Sequence, residues 1–141
     1  MPCLLCNKAF KFSSTEFPIE DIITEFELVI KKGVMFDVIT IVGEGEPTLY
    51  LGLGKLILEL KKRTNKTVAV ITNGALLYDP QVRIELGYTD IVLPTLDAYD
   101  EESFKQINRP IGTITYDQVL LSGRHPLLSR SAHNTCHIYE R

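Results

Sequence analysis

The sequence has no apolar stretch approaching the roughly 18 residues that a membrane-spanning helix needs. Its first residues, MPCLLCNKAFKF, also lack the basic start and the long apolar segment of a secretory signal peptide. Internal repeats and low-complexity segments are missing as well. From these absences we expect a cytoplasmic protein with no membrane partner.

A basic excess is missing too. Lys and Arg total 15 against 18 Asp and Glu, a formal net charge of −3, so there is no strong electrostatic signal for nucleic acid. A local basic groove stays open as an alternative. Cysteine is scarce, and three cysteines in an intracellular chain are more typical of thiols, metal ligands or catalytic groups than of a disulfide framework. What is present, 45% hydrophobic and 23% charged residues over 141 positions, predicts one globular domain.

Helical and strand-like patterns alternate along the chain. The apolar residues of 18–33 recur at helical spacing and end at Gly33, a typical helix stop, whereas 36–43 is a short β-branched apolar run. This alternation predicts an α/β fold in which helical crossovers join the strands of a parallel sheet. The predicted helices are 18–33, 54–64, 79–87, 100–108 and one that begins at 116, and the predicted strands are 36–43, 66–74 and 89–98.

Polar residues come directly after each predicted strand. They are Gly43 to Thr48, then Thr72-Asn73-Gly74, then Thr95 to Asp97. The carboxyl ends of parallel strands meet at one edge of a sheet, and ligands bind at that edge in such folds. The three segments therefore predict one common binding site.

Each segment has two interpretations. In the first, Gly45 permits a close backbone approach and Glu46 accepts a hydrogen bond from a ligand ammonium, but an ordinary loop with solvated acids has the same composition. Thr72-Asn73-Gly74 suits a ribose or a carboxylate, or else forms a tight turn with one left-handed residue. Asp97 is either a site residue or the N-terminal cap of the next segment.

The cysteines give a weaker signal. Cys3 and Cys6 form a single C-x-x-C pair, which fits half a zinc site, part of an iron–sulfur site or two unrelated thiols. Cys136 lies near His133 and His137, but these residues belong to an unpatterned segment, and we interpret the grouping as chance.

The pattern divides the chain into one domain and a tail. The ordered pattern covers 1–120. Residues 121–141 have scattered Ser, Gly and Pro with no period, which predicts a disordered or out-of-frame tail.

Taken in order, four stretches resemble the radical S-adenosylmethionine (radical SAM) superfamily. They are FPIEDII, VGEGEPTLYLGLGKLI, VAVITNGALLYDPQVR and DIVLPTLDAYDEESFKQINRP. Within it, the chain is similar to iron–sulfur oxidoreductases with a G-E-P-T-L turn, relatives of the wyosine-forming tRNA enzymes. The resemblance runs from about Cys3 to Leu120 and implies part of a (β/α)6 barrel, strands two to four.

The resemblance also implies chemistry. In the family, a 4Fe–4S cluster receives an electron from a donor and cleaves S-adenosylmethionine reductively to a 5′-deoxyadenosyl radical. The same resemblance assigns Cys3 and Cys6 to the metal and implies no catalytic side chain. The cofactor-binding residues it implies are Gly43, Glu44, Gly45, Glu46, Pro47, Thr72, Asn73, Gly74, Thr95 and Asp97.

The chain departs from the family in its cysteines and its extent. The family loop, C-x-x-x-C-x-x-C, needs three cysteines, and its first would lie four residues before Cys3, ahead of Met1. We therefore expect a chain truncated at both ends, whose open strand edges favour self-association. The alternatives are a non-catalytic truncated remnant and a small α/β nucleotide-binding module. The sequence assigns no substrate.

Overall fold

The computed structural model of the chain describes residues 18–42, 45–107, 110 and 114–123. Helices and strands alternate there as the sequence predicts, and none of these helices has the length and apolarity of a membrane span. A short 3₁₀ helix, which the sequence analysis does not predict, comes after the first strand at Pro47–Leu49. The other elements are α1 (Ile19–Lys31), β1 (Val38–Ile41), α2 (Leu53–Arg63), β2 (Thr67–Thr72), α3 (Pro80–Leu86), β3 (Ile91–Pro94), α4 (Glu101–Ile107) and α5 (Tyr116–Gly123).

The described strands form a parallel sheet in the order β1-β2-β3. The register pairs Val38 with Thr67 and Val70 with Val92. Alternate strand residues pack against the helices and are almost completely buried, because their apolar side chains leave water there. The α/β prediction is thereby confirmed, and it places the carboxyl ends of the strands along one edge of the sheet.

The main core lies between the sheet and the first three helices. Helix α1 buries Ile22, Ile23 and Phe26, and the Phe26 ring meets the Phe36 ring edge-on with centroids 5.9 Å apart. The chain leaves α1 at Gly33, whose φ of 71° confirms the predicted stop. The residues at the centre of this core are Ile39, Ile41, Leu53, Leu56, Ile57, Leu60, Val68, Val70, Leu77, Leu86 and Val92.

A second, smaller core covers the carboxyl end of β3. It consists of Leu96, Ala98, Phe104 and Val119, with Tyr116 packed against it. Helix α5 continues to Gly123, past the boundary that the sequence pattern places at 120. Val119 anchors the helix in this core, while Leu121, two residues later on another side of the helix, is 67% exposed. Residues 124–141, including His133, Cys136 and His137, lie outside the described residues.

Candidate functional site

Glu46 connects the ends of two neighbouring strands. Its carboxylate lies just beyond β1 and accepts a hydrogen bond from Thr72 Oγ1 at 2.5 Å, at the end of β2. It also accepts one from the backbone N–H of Asn73 at 2.7 Å. The predicted meeting of the first two polar segments at one edge of the sheet is therefore present in the fold.

The segment after Glu46 explains the orientation of its side chain. Glu46 is the N-terminal cap of the short 3₁₀ helix, which has Pro47 at its first turn. Glu46 Oε1 accepts from the Thr48 backbone N–H at 3.1 Å and from Thr48 Oγ1 at 2.6 Å. Oε1 thus receives three hydrogen bonds within the described structure, and Oε2 receives the one from Asn73.

Thr48 ends the first polar segment, but it is not among the cofactor-binding residues that the sequence analysis names. It is 7% exposed, and both of its polar hydrogens are directed to Glu46. The spacing Glu-Pro-Thr is a usable signal, because a side chain that caps its own turn bonds two residues ahead. In a sequence alone, that signal is shared by many ordinary turns.

The backbone N–H groups of the turn after β2 are already bonded to acceptors within the protein. Asn73 N–H bonds Glu46, Gly74 N–H bonds Thr72 Oγ1 at 3.1 Å, and Ala75 N–H bonds Asn73 Oδ1 at 2.9 Å. Gly74 has a φ of 75°, so the tight turn with one left-handed residue is the conformation present. The Asn73 side-chain amide nitrogen, Nδ2, has no partner in the part of the chain that the structure describes.

The third polar segment joins the second through the backbone. Thr95 N–H donates to the Thr72 carbonyl at 2.8 Å, and Thr95 Oγ1 donates to the same oxygen at 3.3 Å. Beyond it, Leu96 and Ala98 are buried, while Thr95 and Asp97 are exposed. Asp97 does not cap α4, because another carboxylate accepts the hydrogen bond from the first turn of that helix.

The α4 cap is Asp100. Its Oδ1 accepts the Ser103 N–H at 2.8 Å, and bonds from Ser103 lower the pKa of the Asp100 carboxyl. Asp97 has no partner among the described residues. Its carboxylate is therefore exposed at the same edge as Asn73, and the capping interpretation of Asp97 is wrong for α4.

The structure brings together most of the predicted cofactor residues, but not all of them can be placed. Glu46, Thr72, Asn73, Gly74 and Thr95 form one hydrogen-bonded set at the carboxyl edge. Gly45 and Pro47 flank Glu46 and are half-buried. Gly43, Glu44, Cys3 and Cys6 lie outside the described residues.

A cavity of about 350 Å³ lies at the opposite, amino-terminal edge of β2 and β3. Lys61 and Lys66 line it beside Asp90. Both carboxylate oxygens of Asp90 already have partners within the fold. Oδ1 accepts a hydrogen bond from Lys61 Nζ at 2.5 Å, and Oδ2 accepts one from the Val68 N–H at 2.8 Å. This cavity contains none of the residues that the sequence analysis assigns to a ligand.

The described residues contain no group of three or more His, Cys, Asp or Glu side chains that could hold a metal ion. Cys3 and Cys6, the two cysteines that the sequence analysis assigns to the metal, lie outside the described residues. Two thiolates are fewer than the usual cysteine set of a 4Fe–4S cluster, so the cysteine pair by itself does not fit that group.

The arrangement of polar strand ends on a parallel sheet agrees with comparisons to known proteins. The family model described as the radical SAM superfamily matches residues 2–122. The chain belongs to the radical SAM superfamily. That membership implies a 4Fe–4S cluster and S-adenosylmethionine as cofactors of the family in general, with a reductant as electron source.

Three relatives show how far the similarity extends. A UPF0026 protein of Synechocystis is 45% identical over 84 residues, which are 60% of this chain and 32% of that protein. A protein named GTPase Obg from Brachyspira hyodysenteriae is 40% identical over 104 residues, 74% of this chain and 15% of that protein. A probable GTP 3′,8-cyclase of Saccharolobus islandicus is 33% identical over 94 residues, 66% of this chain and 30% of that protein. The radical SAM chain therefore spans a third or less of these relatives' own length.

Proposed function

We propose that this radical SAM chain binds S-adenosylmethionine at the carboxyl edge of its sheet. The observation that carries the proposal is the Glu46 carboxylate, which is oriented by bonds from Thr48, Thr72 and Asn73. Such a carboxylate is fixed before a ligand arrives, so binding does not have to order it. The proposed ligand is a zwitterionic amino acid joined to a nucleoside.

The ligand ammonium is assigned to Glu46 Oε2. A carboxylate carries about four lone-pair acceptor sites over its two oxygens, and donors can share a site. Oε1 already accepts three hydrogen bonds in the described structure, whereas Oε2 accepts only the Asn73 N–H at 2.7 Å. The open position on Oε2 suits a cationic donor, and a charge-assisted hydrogen bond there is stronger than a neutral one.

The anionic and hydroxyl groups of the ligand are assigned to the neighbouring segments. The three backbone N–H groups of the turn after β2 already donate to acceptors within the protein. The donor that remains for the ligand carboxylate is therefore Asn73 Nδ2. The exposed Asp97 carboxylate suits the two ribose hydroxyls as an acceptor. These assignments distinguish the proposal from a simple nucleotide-binding module, which would have no use for an ammonium acceptor.

Reductive cleavage of the bound cofactor is the wider activity that we propose for the protein. A 4Fe–4S cluster, if bound, would supply the electron for it, and Cys3 and Cys6 would be its ligands in this chain. Because two thiolates do not fit the cluster by themselves, the proposal requires a further ligand: a partner thiol, a second chain or an external ligand. The described residues contribute binding and orientation of the cofactor, and no electron-transfer step is assigned to them.

The relatives' names do not extend the proposal to a substrate. GTP stands in two of the names, but the chain covers 30% of one of those proteins and 15% of the other. The sequence has no G-x-x-x-x-G-K-S/T run, so the matched region supplies no phosphate-binding loop of that type. The substrate stays unassigned.

Binding is tested by calorimetric titration of the purified chain with S-adenosylmethionine, adenosine and ATP. We expect S-adenosylmethionine to bind and Glu46→Gln to weaken it on the order of tenfold, since a neutral amide loses the charge-assisted bond. Glu102→Gln, at an exposed carboxylate on α4, is the matched control and should bind as the wild type does. Equal binding of S-adenosylmethionine by Glu46→Gln would contradict the proposal, and tighter binding of ATP would favour the nucleotide module.

Cleavage is tested separately after anaerobic reconstitution with iron and sulfide. Iron per chain is measured first, and 5′-deoxyadenosine is then measured after adding S-adenosylmethionine and a reductant. Cluster formation with cleavage supports the wider activity. Folded protein that binds S-adenosylmethionine but assembles no cluster supports the truncated, non-catalytic alternative.

A further inference from the structure

We infer that Arg83 is a positioning residue. It fixes the turn after β2, which contacts the cofactor in the proposed function, through hydrogen bonds to two backbone carbonyls of that turn. Arg83 lies on α3, and its Nη1 donates to the Leu77 carbonyl at 2.7 Å and to the Tyr78 carbonyl at 2.7 Å. Nη1 carries two hydrogens, so each carbonyl receives one. The inference rests on the proposed function, in which the turn that begins at Asn73 contacts S-adenosylmethionine.

The turn is held at both ends. At its entry, Glu46 and Thr72 bond the N–H groups of Asn73 and Gly74. At its exit, Asp79 caps α3 by accepting the Gln81 N–H at 2.8 Å. Between these ends the backbone depends on Arg83 for the two carbonyls of Leu77 and Tyr78, apart from bonds within the turn itself.

Leu77 links the Arg83 contact to the site. Its side chain is completely buried, and its N–H donates to the Gly74 carbonyl at 3.1 Å. A Cβ placed on Gly74 would lie 3.6 Å from Leu77 Cδ1, an ordinary van der Waals distance, so the Leu77 side chain lies beside Gly74. Fixing the Leu77 carbonyl therefore fixes the residue against which Gly74, and with it the neighbouring Asn73, is packed.

Burying part of the Arg83 guanidinium costs free energy, and packing alone does not explain why an arginine is present there. Its Nε is buried and has no hydrogen-bond partner in the described part of the structure. A buried donor without a partner loses its bonds to water, and an apolar side chain would avoid that loss. The two charge-assisted bonds to Leu77 and Tyr78 are the contacts that offset it.

The test compares Arg83→Met with Arg83→Lys and with Arg63→Met as a matched control. Methionine keeps most of the aliphatic length but donates no hydrogen bond, and lysine restores the charge and donors. Arg63 is also partly exposed, at 30%, but its bonds go to Glu27 and Glu59 on the helices, away from the turn. The readouts are hydrogen exchange of individual amides, the urea midpoint and the Kd for S-adenosylmethionine.

We expect Arg83→Met to speed exchange of the Leu77 and Asp79 amides on the order of tenfold beyond any change at Val68 and Val70, because only the turn loses its support. Arg83→Lys should recover part of this, and Arg63→Met should not produce it. The Kd for S-adenosylmethionine should rise with the exchange rate. Equal acceleration in the turn and in β2, or the same pattern in Arg63→Met, would show that Arg83 only stabilises the fold.

Two further outcomes would also decide whether Arg83 fixes the turn. If Arg83→Met does not fold, the lysine variant is compared with wild type, and a turn no more dynamic than β2 overturns the inference. If the wild type binds no S-adenosylmethionine, the proposed function fails, while the exchange pattern still decides whether Arg83 fixes the turn.

Discussion

Glu46 and Thr72 lie 26 residues apart in the sequence and are joined by a hydrogen bond at the ends of adjacent parallel strands. Thr72 is 2% exposed, and its hydroxyl donates to Glu46 while accepting the Gly74 N–H. One hydroxyl therefore fixes both the carboxylate and the left-handed turn of the candidate site. Its removal is the most direct test of whether the two turns are coupled.

Thr72→Val should destabilise the fold and loosen the turn. Valine has nearly the same shape, but it leaves the Gly74 N–H without its acceptor and takes one donor from Glu46. Leaving a buried polar group unsatisfied costs roughly 1–3 kcal/mol. Urea denaturation measures this cost, and exchange of the Gly74 amide measures the loosening. Thr72→Ser keeps the hydroxyl and is the control; a serine variant as unstable as the valine one would attribute the effect to packing.

Gly74→Ala should cost more than Gly33→Ala. Both glycines have left-handed φ, 75° and 71°, so alanine is strained at each by roughly 1 kcal/mol. At Gly33 nothing lies within 4 Å of an added Cβ, whereas at Gly74 the Val119 Cγ1 lies 3.2 Å away. Crowding of that kind adds roughly 1–3 kcal/mol. The two free energies of unfolding, from urea denaturation, give the difference directly.

A double-variant cycle identifies the cause of that difference. Val119→Ala in the Gly74→Ala background should relieve the crowding, so the two substitutions together should cost less than the sum of their separate effects. Additive costs would mean that α5 does not press on the turn. The cycle thus also tests the observed packing of Val119, on α5, against the turn after β2.

Acid should weaken the ion pairs at the end of α2 in a defined pH range. Hydrogen bonds from Lys62 and then Arg63 lower the pKa of the Glu59 carboxyl from 4.5 to about 2. Because the pKa is lowered in the folded state, this contribution to stability is fully present above 4.5 and is lost as the pH falls from 4.5 towards about 2. Thermal unfolding of Glu59→Gln should depend less on pH over that range than wild type, and an equal dependence in the two proteins would contradict the prediction.

Salt gives an independent check of the same carboxylate. The side chain of Glu59 is 24% exposed, so its ion pairs with Lys62 and Arg63 are partly open to screening. At about 1 M salt the Debye length is roughly 3 Å, and the pKa of Glu59 should move back towards its ordinary value. An NMR titration of Glu59 that is unchanged by salt would argue that geometry other than these ion pairs sets its pKa.

The sequence predicts the fold better than it predicts the contacts of the site. Runs such as those around Ile39 and Val68 are apolar and β-branched, and this pattern survives folding because both residues are fully buried. The strands are shorter than predicted, since only residues in register with a neighbour, such as Val38 with Thr67, form a ladder. The common edge of Glu46 and Thr72 is a consequence of parallel strands, and it too is predicted.

Some contacts that the sequence analysis does not predict are local and depend on side-chain geometry. Arg83 bonds the carbonyls of Leu77 and Tyr78, six and five residues earlier, and Asp100 rather than Asp97 caps α4 by accepting the Ser103 N–H three residues ahead. The left-handed turn at Gly74 is one of two interpretations of its segment, and the choice depends on the acceptors that Glu46 and Thr72 provide. The pairing of Glu46 with Thr72 and Asn73 arises only once the strands have brought these distant residues together.

Asp97 and Asp100 should separate ligand binding from stability. Asp97 is exposed at the site edge and has no partner among the described residues, so Asp97→Ala should leave the urea midpoint unchanged and weaken S-adenosylmethionine binding on the order of tenfold through the lost ribose contact. Asp100→Ala removes the acceptor of the Ser103 N–H and should lower the urea midpoint instead. Because the two carboxylates lie three residues apart, general effects of charge should be similar in both variants. A loss of affinity in Asp100→Ala as large as that in Asp97→Ala would mean that the two variants act through the fold, and the ribose contact would have to be assigned elsewhere.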